Sequence, residues 1–268
     1  MQEISIYTVD AFTDTLFCGN TCAVCLFPGW PEDQILQNVA AQNLFAETAF
    51  INLSSKPHPE LRWFTVSQEV GFCGYGTLSA GYVYLNHINP NLQKITFSTR
   101  HYGLVPVKKR DNLYTIEVHV KKLQEPLFDE AVHESLGGTR PLTMIKSERG
   151  DLIILYANEL DLIAISPDFP SLMKNHYHGY VLTSPSKSAD YAYRYFSPRM
   201  PNVWEDPVNG ASQSALAPYW VDRLGKSKVH GQAASRRGGD VYCEFKGGST
   251  LEIGGKVAPY LHGRIVLG

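Results

Sequence analysis

One glutamate stands out for where it sits. Glu47 lies in the run "NLFAETAFI", between Ala46 and Thr48, with apolar residues on both sides. A carboxylate stripped of water holds its proton more tightly than an exposed one, which suits proton transfer. A paired or helix-capping glutamate would leave the same pattern, and the pattern alone keeps both readings open. Two further stretches match each other: "EVGFCGYGTLSAGYVYL" (69–85) and "EDPVNGASQSALAPYWVDRLG" (205–225). Each opens on an acid, Glu69 or Glu205, and a glycine follows five residues later, Gly74 or Gly210. Each then runs into a helix of small and aromatic residues. Bare N–H groups and the helix dipole favour an anion at such a start, so Gly74 and Gly210 are candidate holders of a carboxylate. Two helix caps without a ligand would look the same. Gly19-Asn20, just after a strand pattern, is a further candidate for ligand contact.

Other chemistries find less support. "TCAVCLF" contains a C-x-x-C, but no second Cys or His pair completes a metal set. Cys22 and Cys25 therefore read as small buried hydrophobes of a strand, and no metal is expected. His176 and His178 alternate as surface residues of a strand would. Five cysteines without a disulfide framework point to a reducing, cytoplasmic setting. A net charge of −2 over 268 residues argues against nucleic acid as a partner. No apolar run is long enough for a membrane span, so no membrane partner is expected either. The amino terminus alternates like a strand and not like a signal peptide.

The elements that must carry these residues follow from periodicity. Period-2 patterns predict strands at 3–9, 47–53, 61–66, 94–99, 112–119, 151–156, 178–183, 190–196, 240–246 and 249–253. Helices are fewer: 31–42, opened by Pro31 with Ile35, Leu36, Val39 and Ala40 on one face; 76–86; and 210–224, bent at Pro218. Strands that neighbour one another, with few helices, predict an α+β fold. The two matched stretches each follow an aromatic pair, Trp63-Phe64 and Tyr195-Phe196, which marks a weak internal duplication. The charge-free middle of each stretch predicts a helix buried on all sides. The expected halves are 1–115 and 116–268, each a strand-rich shell around a central helix.

Taken in order, "YTVDAFTDTLFCGN", "NLFAETAFI", "LRWFT…EVGFCGYGTLSAGYVYL", "RYFSP…EDPVNGASQSALAPYW" and "GQAASRRGG" resemble the phenazine-biosynthesis PhzF-like family, within the diaminopimelate epimerase-like fold. The resemblance covers nearly the whole chain. It implies two similar barrel halves with the active site between them, cofactor-free isomerase chemistry and a homodimer. It assigns the catalytic glutamate to Glu47 and an assisting aspartate to Asp206. In the family's best-understood chemistry the substrate is trans-2,3-dihydro-3-hydroxyanthranilate, and the glutamate moves a proton from one carbon to another.

The departures from that family fall on expected pocket positions. The family's C-G-H-A-T is here Cys73-Gly74-Tyr75-Gly76-Thr77, so a histidine has become Tyr75. The serine before the glutamate is Ala46. T-G-S-A is Asn209-Gly210-Ala211-Ser212, and G-N-P is Gly19-Asn20-Thr21. The expected function is therefore an isomerase of a small acidic metabolite other than the phenazine precursor. The alternatives are a binding or regulatory protein on the same fold, or a racemase. A two-thiol racemase needs a cysteine before each helix glycine, and Asn209 stands at the second place.

Overall fold

The computed structural model describes residues 2–197 and 204–268, so Pro198 of the "RYFSP" motif lies outside the described residues. The chain forms two compact units, Met1–Glu117 with Gly254–Gly268, and Val118–Ile253. In chain order the elements are β1 (Gln2–Ala11), β2 (Asn20–Phe27), α1 (Asp33–Asn43), β3 (Thr48–Asn52), β4 (Glu60–Phe64), β5 (Glu69–Val70), α2 (Gly74–Val83), β6 (Lys94–Thr99), β7 (Gly103–Arg110) and β8 (Leu113–His119). There follow β9 (Leu123–Leu127), α3 (Glu130–Leu136), β10 (Thr143–Ser147), β11 (Leu152–Leu155), α4 (Glu159–Ala164), α5 (Phe169–Leu172), β12 (Tyr180–Pro185), β13 (Tyr191–Phe196), β14 (Glu205–Asp206), α6 (Gln213–Leu224), β15 (Lys228–Ala233), β16 (Gly239–Gly247), β17 (Thr250–Gly255) and β18 (Val257–Leu267).

The duplication read from two helices extends to the strand pairings. In the first unit β1–β2 is antiparallel, β2–β3 parallel, β3–β4 and β4–β5 antiparallel, β4–β6 parallel and β6–β7 antiparallel. In the second unit β10–β11, β11–β12, β12–β13, β13–β14, β13–β15 and β15–β16 repeat that order. The registers agree too: Phe64 faces Glu69 as Phe196 faces Glu205.

The central helices are built for close approach. α2 carries no charged residue, and Tyr75 through Gly81 are all buried. It packs against β1, β2, β3, β4, β7 and β18. A Cβ at Gly81 would lie 2.4 Å from Val107 Cγ1, so the sheet comes nearer than any larger residue allows. The helix continues through a π turn at Tyr84–Ile88, slightly beyond the expected 76–86. α6 runs unbroken through Pro218 and begins at Gln213, three residues later than the expected Gly210. A turn fills the gap, with Gln213 N donating to Gly210 O at 3.2 Å.

An arginine one residue before each aromatic pair ties the strand that precedes the helix. Arg62, 1% exposed, donates to both oxygens of Glu69 at 2.7 and 2.6 Å and to Asp33 at 2.7 Å. Its guanidinium lies 5.2 Å from the Trp30 ring centre and 4.9 Å from that of Phe64. Arg194 repeats the grip, donating to both oxygens of Glu205 at 2.7 and 3.1 Å and lying over Phe196 at 4.7 Å. Planar guanidinium against planar carboxylate fixes orientation as well as distance.

Several expectations need correction. The last segment belongs to the first unit and not to a half running 116–268, because β18 pairs antiparallel with β1 from Gln2↔Leu267 to Ala11↔Val257. β7 and β18 escaped the strand patterns; each contains a proline, Pro106 and Pro259, and proline argues against a strand in sequence alone. Pro31 precedes α1, whose N-cap is Glu32, while Leu36, Val39 and Ala40 are buried as expected. His176 and His178 lie in the loop before β12 and not on a strand. Among the described residues no helix is long and apolar enough to cross a membrane. Arg62→Ala is expected to lower stability by about 3 kcal/mol in chemical denaturation, because it removes a buried side chain packed on Trp30 and Phe64 and leaves Glu69 and Asp33 only the more exposed Arg100. A loss below about 1 kcal/mol would mean the pair adds little, as exposed pairs do.

Candidate active site

In the first unit the residues singled out by type converge. Glu47 is half-buried and immediately precedes β3. The Cys73 thiol donates to its Oε2 at 3.4 Å, and the Cys22 thiol to its backbone carbonyl at 3.6 Å. Tyr75 is buried beside them in the first turn of α2. Burial and then the Glu47 charge push the Cys22 thiol up to about 12. The same two causes raise the Cys73 thiol and the Tyr75 phenol well above their usual ranges. All three groups are therefore neutral donors at ordinary pH. Half-buried Ala46, the residue before Glu47, adds no polar group.

The start of α2 is partly occupied by its own cap. The Cys73 sulfur accepts from Gly76 N at 3.2 Å, and the Cys73 carbonyl accepts from Thr77 N at 3.0 Å. The amides of Gly74 and Tyr75 take no part in this cap. Gly76 cannot be larger, since a Cβ there would lie 2.8 Å from Cys73 Sγ and 2.9 Å from Trp63.

Gly19 and Asn20 have structural reasons of their own. Gly19 has φ +69°, and a Cβ would lie 2.2 Å from Ala11 O. Asn20 is buried and opens β2 opposite Ala11. The residue that organises this loop is Asp10, which the sequence reading left without a role. Its carboxylate accepts from Thr21 Oγ1 and, at 3.2 Å, from Phe17 N.

The second unit builds the matched position differently. Asp206 is buried on β14, and Asn209 Nδ2 donates to its Oδ2 at 2.8 Å. Asn209 Oδ1 accepts from Ser212 N at 2.7 Å, the same spacing as the Cys73 cap. Buried Gly210 and half-buried Ala211 lie in the turn before α6. Register makes Gly179 the counterpart of Glu47, since Thr48 faces Phe64 as Tyr180 faces Phe196. A Cβ at Gly179 would lie 2.2 Å from the Tyr195 hydroxyl. That hydroxyl donates to Asp151 at 3.2 Å and accepts from Arg149 at 3.3 Å. A tyrosine oxygen thus fills the room that a side chain at 179 would need. No sequence pattern announced this network, because its members lie far apart along the chain.

Comparison with known proteins identifies the family. The model of the family described as phenazine biosynthesis-like protein matches residues 9–263. The chain belongs to this family. It is 32% identical to an uncharacterized isomerase of Pseudomonas aeruginosa over 266 residues, covering 99% of this chain and 100% of the relative. It is 35% identical to an uncharacterized isomerase of Halalkalibacterium halodurans over 244 residues, 89% of this chain and 90% of the other. Among solved structures, a PhzF-family phenazine biosynthesis protein of Enterococcus faecalis superposes with TM-score 0.92 at 28% identity, covering 99% of this chain and 100% of that one. A hydroxyproline epimerase of Agrobacterium vitis shares the fold at 11% identity and TM-score 0.61, covering 98% of this chain and 92% of its own. The α+β architecture is the diaminopimelate epimerase-like fold.

Burial orders its thiols. Cys22, Cys25, Cys73 and Cys243 are buried, and Cys18 is half-buried. A disulfide reagent such as DTNB at pH 8 is expected to label Cys18 alone in the folded protein and all five cysteines after unfolding. Rapid labelling of Cys73 in the folded state would contradict its burial against Glu47.

Proposed function

We propose that this protein is a cofactor-independent isomerase of a small carboxylate-bearing molecule, in which Glu47 takes a proton from one carbon and returns it to another. The observation that carries the reading is the Glu47 carboxylate facing the Cys73 thiol, with Tyr75 alongside. Neutral donors orient a carboxylate without pairing it with a fixed positive charge. The Gly74 and Tyr75 amides are the groups proposed to hold the substrate carboxylate. Asp206, held by Asn209, is proposed to assist. Relatives named as isomerases agree with this class.

The side chains that differ from the family motif bear on the substrate. Tyr75, Ala46 and Ala211 replace groups with other hydrogen-bonding ability, so trans-2,3-dihydro-3-hydroxyanthranilate is not the expected substrate. A two-thiol racemase is disfavoured because Asn209 cannot supply the second thiol, its amide being engaged with Asp206 and Ser212.

The test is deuterium uptake from D₂O, followed by NMR, on a panel of small unsaturated acids, amino acids and the phenazine precursor. Uptake on at least one compound is expected, reduced by about 1,000-fold or more in Glu47→Gln at an unchanged melting temperature. Binding without uptake on every compound would favour a non-catalytic binding protein. Unfolding of Glu47→Gln would make Glu47 a structural residue.

A further inference from the structure

The first turn of α2 contains a buried hydroxyl that closes no hydrogen bond of normal length. Tyr75 is 7% exposed, and its hydroxyl has no hydrogen-bond partner among the described residues. Trp63 Nε1, packed against Gly76, is likewise buried without a partner. Buried polar groups are nearly always satisfied, and leaving one unmade costs stability. A bound ligand is one way to complete such a group, and the place of Tyr75 beside Glu47 favours it here. The Tyr75 oxygen lies near Glu47, Cys73 and Cys22, and the Glu47 carboxylate is within polar reach of it.

We propose that Tyr75 donates its hydroxyl hydrogen bond to a carbonyl oxygen of the substrate, and that the site takes carboxylate-bearing molecules with a carbonyl next to the carbon that loses its proton. This deepens the proposed function and rests on Glu47 being the base. The Glu47 carboxylate accepts the proton from that carbon, and the C–H electron pair becomes the C=C bond of an enolate. The carbonyl π pair moves onto oxygen, where the Tyr75 O–H stabilises it. Protonated Glu47 then returns the proton to carbon, at the same position or at the far end of a conjugated system, and the carbonyl reforms. No oxidant, reductant or leaving group is involved. Burial suits the phenol to this role, because a group that stays neutral beside a carboxylate keeps its proton available for donation.

The experiment uses the intact protein with 2-oxo acids, namely pyruvate, 2-oxobutanoate and 2-oxoglutarate labelled with ¹³C at the keto carbon. The matching 2-hydroxy acids serve as controls. Two readouts are taken: the infrared stretch of the bound keto group, and deuterium uptake at the adjacent carbon in D₂O. The stretch is expected to move to lower frequency in the wild type and in Glu47→Gln, and to return toward its solution value in Tyr75→Phe. Uptake is expected to fall by about 100-fold in Tyr75→Phe and to vanish in Glu47→Gln. Tyr75→Phe is expected to melt no lower than the wild type, because it removes an unsatisfied buried hydroxyl. A lowered stretch that depends on Tyr75, with no uptake even in the wild type, would support the carbonyl contact and overturn the Glu47 reading alone. Tyr75→Phe matching the wild type in both readouts would overturn the inference, as would 2-hydroxy acids binding while no 2-oxo acid does.

Discussion

The bidentate grip of an arginine, shielded by aromatic rings, on a glutamate is the constraint from which the rest of each unit follows. Arg62 holds Glu69, and Arg194 holds Glu205, each from one residue before an aromatic pair and each across the same register. The held strand is two residues long, too short to fix its own direction by backbone bonds alone. The fork of the guanidinium supplies the missing orientation, and aromatic faces shield it from water. Five residues beyond each glutamate the chain reaches the glycine at the approach to the central helix. The position of that approach, and of Cys73 and Tyr75 in the first unit, is thereby tied to the sheet.

On this common frame the two units diverge where chemistry would occur. The first unit has Glu47 before its third strand, faced by a thiol and flanked by a phenol that burial keeps neutral. The second unit has Gly179 at the matched place, with the Tyr195 hydroxyl in the space. The second unit instead carries Asp206, held by the asparagine that replaces the capping thiol. Duplication supplies two equivalent scaffolds, and side-chain differences leave a carboxylate beside the central helix start in only one of the two matched positions. This asymmetry fits a reaction in which a single carboxylate moves a proton.

Much of this was legible in the sequence, and the reasons are local. Glu69…Gly74 and Glu205…Gly210 share a spacing, and the buried, charge-free α2 follows directly from its composition. The shared arginine before each aromatic pair was equally visible, in "RWF" and "RYF", but its meaning depends on a cross-strand partner that spacing does not reveal. The return of β18 to β1 joins opposite ends of the chain, and Pro259 disguised it as a loop. The start of α6 was placed too early because Gly210 opens a turn and not the helix. Tyr75 could be singled out as a departure from a motif, but its lack of a partner belongs to the packed interior. Asp151, Arg149 and Tyr195 meet only after folding.

The measurement closest to the central claim follows the label through a single turnover. A substrate found by isotope exchange, deuterated at the carbon that loses its proton, would be converted in H₂O with enzyme in excess. Mass spectrometry would then locate the deuterium in the product. If Glu47 alone carries the proton and returns it before it exchanges with water, part of the deuterium reappears at the accepting carbon. If the deuterium is lost entirely while Glu47→Gln converts substrate at the wild-type rate, a base other than Glu47 moves the proton and the account is wrong.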